Sequence, residues 1–559
     1  MSITEQPNEL TLNIDISTSS SIIDILASVD NQLFAGYNDY ESLLSSTFLS
    51  SFKQVAEQIK SVLADNGIVV MSGAGTSGRL AYLCCRYGNE FLSKSSLPGT
   101  FIPLIAGGLP AIMTAQEGAE DSPTLARADL SSVLDARPGS SLLYIGITCG
   151  LSAPYVGAQL EFCLELSELN CRRVYPVVMG FNPVDLARDS IVPKWNNTFK
   201  KVLDDVVKRG GVALCPVVGP EGITGSTRMK GGSATLLLLL LLIESSQLGQ
   251  KVEENLIESR IVEIKQSVES LYNQLKSSII PNLIDQSTTA LRQKGSIVYL
   301  GHDFAGQLAI IDASECPPTF GALDTDVISF IYNGWSALNL DSNSEFARSF
   351  KVDLKEFIDN NLELNPKDVV FVVCIDGKIP NILTEYLSVY RSNLFIINIY
   401  SGNNNVIIPN YSKNLVEFLV SADNVSKLLC LKLVLNCIST SSHVFLGKVY
   451  QNRMVDLRLS NTKLLTRSTI TLSKLLDINI SKAKEIVLRS VYESQEIPED
   501  ASDLDHVTVA SAKKYVVPIA ISMALGFSLE KSREMVEHCV ENGIAIRSHI
   551  IALMNGNCG

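Results

Sequence analysis

The chain lacks an apolar run long enough to cross a bilayer. Its longest, "ATLLLLLLLI" at 234–243, is about half of the ~20 residues a spanning helix needs, and Lys230 and Glu244 flank it closely, so it reads as a buried core helix. Charge of one sign is also scarce in the way nucleic-acid binders would need it. The formal net charge is −13 and no basic patch stands out, so a phosphate backbone or anionic membrane surface would be repelled. Twelve cysteines are scattered without paired C-x-x-C or Cys/His zinc spacing, so neither a metal site nor a disulfide framework is expected. The N-terminus reads without a charged-then-apolar secretory pattern, and a reducing, cytosolic compartment is the expectation. His302, His443, His506, His538 and His549 show no ligand spacing and read as structural. An apolar fraction of 46% with 19% charged residues places the chain among globular rather than disordered proteins.

What is present starts with "VVMSGAGTSGRLAYL" at 69–83, a Gly-x-Gly-x-x-Gly pattern at Gly73, Gly75 and Gly78 between an apolar run and an apolar-periodic segment. That order predicts strand, tight loop and helix. A dinucleotide site would need an acidic residue about 20 positions on, and a Walker loop a Lys-Ser/Thr pair; neither is found. Thr76 and Ser77 instead sit at the loop tip, beside the amides of a helix N-terminus. Hydroxyls and amides together suit one phosphate monoester without a metal, although a plain glycine turn has the same spacing.

From about 50 to 255 the strand-like runs "GIVVMSG", "TFIPLIA", "SLLYIGIT", "RVYPVVMGF" and "VALCPVVG" alternate with helical ones, which predicts a parallel sheet covered on both faces. After a helical connection rich in Glu, Lys and Gln, the order returns as "SIVYLGH", "DVISFIY", "DVVFVVCID" and "NLFIINIY". Sliding the chain by 228 residues lays Gly301, Gly306, Leu308 and Ala309 on Gly73, Gly78, Leu80 and Ala81. The repeat reads as a duplicated α/β unit, with Phe304 and Ala305 replacing the hydroxyls, so the second loop is expected not to hold phosphate. Residues 1–20, rich in Ser, Thr and Asn, are expected to fray. The expected division is an N-terminal segment at 1–45, α/β domains at 46–255 and 256–448, and an all-α cap at 449–559.

"GAGTSGRL", "LIAGG", "EGAEDS" (117–122), "GITCGLSAPY" (146–155), "GPEGITGSTRMKGGSAT" (219–235), "DASECPPTFG" (312–321) and "HVFLGKVYQNRMVDLRLSNTKL" (443–464) together resemble the sugar-isomerase (SIS) superfamily. More narrowly, they are similar to the family of glucokinase regulatory protein and its bacterial relative, N-acetylmuramic acid 6-phosphate etherase. The resemblance implies two doubly wound parallel-sheet SIS domains in tandem with a helical cap. It implies a phosphosugar site that uses Gly75, Thr76 and Ser77, with Thr148 and Ser152 in a second loop and Ser226 in a third. Glu120 matches the etherase base, or accepts from a ligand hydroxyl. The matching acid is absent at Tyr87 in the first repeat but intact at Glu315 in the second, and the family's phosphate-contacting lysine falls on Leu236 in the first half and Lys432 in the second. One composite site is therefore expected between the halves, with Glu120 and the loops from one and Glu315 and Lys432 from the other. Arg228 and Lys230 read either as anion contacts or as a helix-start salt bridge.

Two functions follow from the resemblance. One is a regulator that inhibits a glucokinase or hexokinase under control of fructose 6-phosphate or fructose 1-phosphate. The other is an etherase that releases D-lactate from N-acetylmuramic acid 6-phosphate, with Glu120 and Glu315 as catalytic base and acid. Neither implies a cofactor; a monomer, cytoplasmic and in the alternative also nuclear, is expected.

Overall fold

The apolar runs of the first half become one parallel sheet in the computed structural model, which describes residues 2–554 apart from 96–97, 117, 170–171, 193, 247–250, 339, 342–343, 360–364, 390–392, 403–413, 457–458, 460–461 and 499. Its strands are β1 (Ile68–Gly73), β2 (Thr100–Ile105), β3 (Leu142–Ile147), β4 (Val174–Met179) and β5 (Val212–Leu214), in the order β2-β1-β3-β4-β5. All six residues of β1 and of β3 are buried, as a strand covered on both faces requires. Val69 and Met71 enter the core shared with the second half, while Ile68 and Val70 pack in a separate cluster under the helices Pro123–Asp135 and Pro154–Glu168.

The second sheet comprises β6 (Ile297–Gly301), β7 (Val327–Ile331), β8 (Val369–Ile375), β9 (Leu394–Tyr400) and β10 (Leu415–Leu419). Its order, β7-β6-β8-β9-β10, is that of the first sheet, so the duplication extends to topology. β10 had no counterpart among the strand runs read from sequence. It is a half-exposed edge strand with alternating burial and a glutamate at 417, and so short an alternating pattern carries little signal.

The loops repeat as closely as the sheets. A Cβ on Gly78 would lie 2.5 Å from Ile105 Cγ1, and one on Gly306 would lie 2.7 Å from Ile331 Cγ1, so both helices press on the neighbouring strand at a point where only glycine fits. The halves meet through paired helices: Gly75–Ser95 against Asp303–Phe320, and Lys230–Ser245 against Asn424–His443. Every residue from Lys230 to Ile243 is buried, so the leucine run is a core helix of this interface. A Leu→Ala change there would cost about 2–5 kcal/mol. Among the described residues one helix, Asn424–Lys448, is long and apolar enough to cross a membrane, and it too is packed inside the protein.

A short ribbon of Val449–Tyr450 and Arg453–Met454 leads into six helices between Thr462 and Met554, which bury a core of their own around Leu472, Val487, Val517 and Val536. The first residues depart from expectation. Instead of fraying they form three single 3₁₀ turns at Ile3–Glu5, Glu9–Thr11 and Ile14–Ile16. Asn182 Oδ1 accepts from the Ile3 and Thr4 amides, and Asn452 Nδ2 donates to Asn8 O and Thr11 Oγ1. Arg547 donates to Leu12 O and pairs with Asp15. Composition marked this strap as loose because its partners lie hundreds of residues away. The helix Ser21–Ala35 packs on Glu254–Ser277, so residues 2–45 are built into the body of the protein.

Candidate functional site

At the carboxyl ends of β1 and β3 the strand order reverses, the place where open α/β sheets hold ligands. A cavity of about 780 Å³ opens there, within the usual ~300–1,000 Å³ of ligand clefts. Gly75 turns the chain with φ +51°, and Thr76 and Ser77 follow on the first turn of the helix Gly75–Ser95, where amides are unsatisfied and the dipole favours an anion. Ser77 Oγ lies 3.8 Å from Cys149 Sγ, a weak partner that leaves the hydroxyl ready for a better one.

Thr148 follows β3 and its Oγ1 accepts from the amides of Ser152 (3.3 Å) and Ala153 (3.4 Å). Its role in the fold is thus to shape the turn that carries Ser152 onto the wall. Glu120 is exposed on the loop before Ser122, which caps the helix Pro123–Asp135. Its carbonyl accepts from the Tyr155 amide at 2.9 Å, which fixes the loop while the residue lines the cavity. Gly75, Thr76, Ser77, Glu120, Thr148, Ser152 and Glu315 all line this one space. The motif residue at 117 lies outside the described residues, as do 457, 458, 460 and 461 of the last motif.

Two of the sequence candidates are placed elsewhere. Ser226 is buried with no partner for its Oγ among the described residues; its neighbours Thr224, Gly225 and Thr227 face the cavity instead. Lys432, expected at the phosphate, is buried and does not line the main cavity. Its ammonium donates to Arg228 O (2.8 Å), Met229 O (3.2 Å) and Ser233 Oγ (3.1 Å), in a small enclosed space behind Thr76. Burial pushes it down to about 8. It reaches across the interface and holds the Thr224–Met229 loop from behind.

Arg228 is likewise internal: it pairs with Asp312 and donates to Ser439 Oγ (3.0 Å) and Thr440 Oγ1 (2.7 Å). Lys230 Nζ donates to Gln32 Oε1. The N-terminus of its helix is already occupied by a carboxylate, Glu221, which accepts from the Lys230 (2.9 Å) and Gly231 (2.8 Å) amides. Burial raises Glu221 and lowers Lys230. That helix end is therefore satisfied from within the protein.

Glu315 projects from the helix Asp303–Phe320 into the cavity, but its Oε1 is held by the Arg79 guanidinium. Arg79 also donates to Ile112 O (2.9 Å), and its remaining Nη2 is buried with no partner among the described residues. The cap closes the opposite side with Arg453, Arg467 and Lys474. Arg467 donates to Thr224 O at 3.2 Å and lies near Glu5 Oε2 at 3.8 Å. A side chain on Gly225 would collide with it. Burial, and then the Arg467 charge, lowers the basicity of Arg453, whose guanidinium has no acceptor among the described residues. With Arg188, five basic side chains line the cavity against the four carboxylates of Glu5, Glu120, Asp121 and Glu315, so an anion meets a locally positive wall in a chain of net charge −13.

These five cations were not found by sequence reasoning. Arg79 and Arg453 stand inside recognised motifs, which was the available signal. Arg467 and Lys474 lie on an ordinary amphipathic helix, which gives none. Among the described residues no group of three or more His, Cys, Asp or Glu is placed to hold a metal ion.

Two sheets of one strand order, joined helix to helix, with a hydroxyl-bearing loop facing a helical cap, define a tandem SIS protein. Three family profiles match along the chain: glucokinase regulatory protein N-terminal SIS domain at residues 53–164, its second SIS domain at 274–421, and its C-terminal lid domain at 451–550. Glucokinase regulatory protein of Xenopus laevis is 30% identical over 99% of this chain and 93% of its own, and that of Homo sapiens is 31% identical over 93% and 87%. The chain belongs to the glucokinase regulatory protein family. N-acetylmuramic acid 6-phosphate etherase of Bacillus mycoides (strain KBAB4) is 30% identical over 50% of this chain and 91% of its own, a match to part of the chain only.

Proposed function

We propose that the chain is a hexose-phosphate-controlled inhibitor of a glucokinase-type sugar kinase. The observation that supports this most is that Thr76 and Ser77 at a helix N-terminus and Arg453, Arg467 and Lys474 of the cap line one cavity. A phosphate on the loop and sugar hydroxyls on the walls would then bridge the first domain to the cap. A ligand that favours one cap position has the differential contact that allosteric control requires, and a coupling of ~1–3 kcal/mol suffices. Fructose 6-phosphate and fructose 1-phosphate are the effectors this reading names, and the ten described cysteines, all free and buried, accord with a cytoplasmic setting. The helix pairs between the halves imitate a twofold dimer inside one chain, so the protein is proposed to be a monomer, checked by light scattering for a mass near 60.8 kDa.

The test is inhibition of a purified glucokinase by the chain, with and without each fructose phosphate. No inhibition under any effector condition would refute the reading.

A second reading, the etherase, is favoured by Glu120 and Glu315 lining the same cavity. Against it, the acid must hand a proton to the leaving oxygen, and the Glu315 carboxylate is engaged by Arg79. Incubation with N-acetylmuramic acid 6-phosphate and a lactate assay separates the two. Lactate release that Glu120→Gln abolishes would establish the enzyme.

A further inference from the structure

The duplication left a second cleft, and its chemistry has changed. It measures about 250 Å³ and lies at the carboxyl ends of β6 and β8, the switch point of the second sheet. As the first cavity takes Glu315 and Pro318 from the second half, this one takes Tyr87 and Glu90 from the first; these are the same positions of the repeat.

Phosphate is excluded by what replaces the loop. Asp303 stands where Gly75 does and adopts the same left-handed turn, φ +53° against +51°. Its carboxylate is tied to Arg86, so a fixed negative charge occupies the helix N-terminus that an anion would seek. Phe304 replaces the first hydroxyl. Its ring meets Tyr87 edge-on at 5.6 Å, and the Arg86 guanidinium lies 4.3 Å from its centroid. Phe91, Ile375 and Leu428 extend the apolar lining.

Three carboxylates stand against four cations at this cleft, an excess of one positive charge. Asp376 is paired with Lys427 at 2.7 Å, while Asp303 and Glu90 share the one Arg86 guanidinium, Glu90 at 3.2 Å. Lys94 and Lys378 reach the cleft from the two halves, are exposed, and have no acceptor for their amines among the described residues. An aromatic floor with two free ammonium groups at the rim fits a flat, apolar body with an anionic end. The volume, just under that of usual ligand clefts of ~300 Å³ and more, limits the body to one ring or two fused rings.

We propose that this cleft is a second small-molecule site, independent of the phosphosugar cavity, which takes a small aromatic carboxylic acid. Because its walls come from both halves, its occupant clamps the internal interface.

The experiment is calorimetric titration of the full chain with 2-naphthoate. One saturable site per chain is expected, unaffected by saturating fructose 6-phosphate and weakened at least tenfold in the Lys94→Glu, Lys378→Glu double variant. Both lysines are exposed, so the variant retains its fold, checked by unchanged circular dichroism. Cyclohexanecarboxylate, of equal charge without the aromatic face, is expected to bind several-fold more weakly. Absence of saturable binding, binding that survives the charge reversal, displacement by fructose 6-phosphate, or equal affinity for the two acids would each overturn the proposal.

Discussion

The loops "GAGTSG" at 73–78 and "GHDFAG" at 301–306 follow the same strand of the same sheet order. They share a left-handed residue at the same position and a helix glycine pressed on an isoleucine. Their chemistry is nevertheless opposed. The first presents two hydroxyls and open amides, the second a carboxylate and an aromatic ring. Duplication preserved what the backbone needs, because a bulkier residue at Gly78 or Gly306 would push helix from sheet, while three side chains were enough to change the chemistry the loop presents. A shared fold therefore says where a site lies and not what it binds.

The strongest way to break the comparison is to give the first loop the second loop's side chains. Thr76→Phe with Ser77→Ala is expected to lower fructose 6-phosphate affinity by about 100-fold or more, since each lost bond to a charged group is worth ~1.5–3 kcal/mol. Calorimetry measures it, and retained affinity would remove the loop from the site.

The interface offers the next effect. Lys432 is held down to about 8 from an ordinary value of 10.5 by burial. Its folded value lies below its unfolded one, so unfolding takes up a proton between these pH values. The group therefore adds stability as pH rises through that window and loses it as pH falls through about 8. In Lys432→Met that dependence disappears. The unfolding free energy of the wild type relative to the variant should rise by up to ~3 kcal/mol across the window, read from denaturant titrations at several pH values.

The cap sharpens the contrast in a different way, because among the described residues none from the cap lines the second cleft. Arg467→Ala should weaken fructose 6-phosphate by about 1–2 kcal/mol, the worth of a partly exposed charged contact, with no effect on 2-naphthoate. The smallest change is expected at Ser226, whose hydroxyl is buried behind its loop. Ser226→Ala should alter phosphosugar affinity by less than ~0.5 kcal/mol; a tenfold loss would return this serine to the site.

Much of the fold was legible because buried parallel strands leave continuous apolar runs, and nine of the ten strands did so. The lining of the first cavity was legible where the signal is local: Gly75, Thr76 and Ser77 are neighbours in one motif, and Thr148 and Ser152 in another. Lys432 was misplaced because a lysine on an apolar helix has the same sequence signature whether it faces water or the backbone carbonyls of a partner helix. Ser226 was misplaced because alternate residues of an irregular loop face opposite ways, with no periodicity to tell which.

By itself the sequence determined the two α/β units, their duplication and the loss of hydroxyls in the second loop, since these depend on residue order over a few neighbours. Only the tertiary structure decided that the N-terminal strap is ordered, that Glu315 is held by Arg79, and that cap cations line one cavity with Thr76 and Ser77. Each of these joins residues more than 170 positions apart, and such a contact exists only when independent elements have packed, so no local pattern in the chain records it.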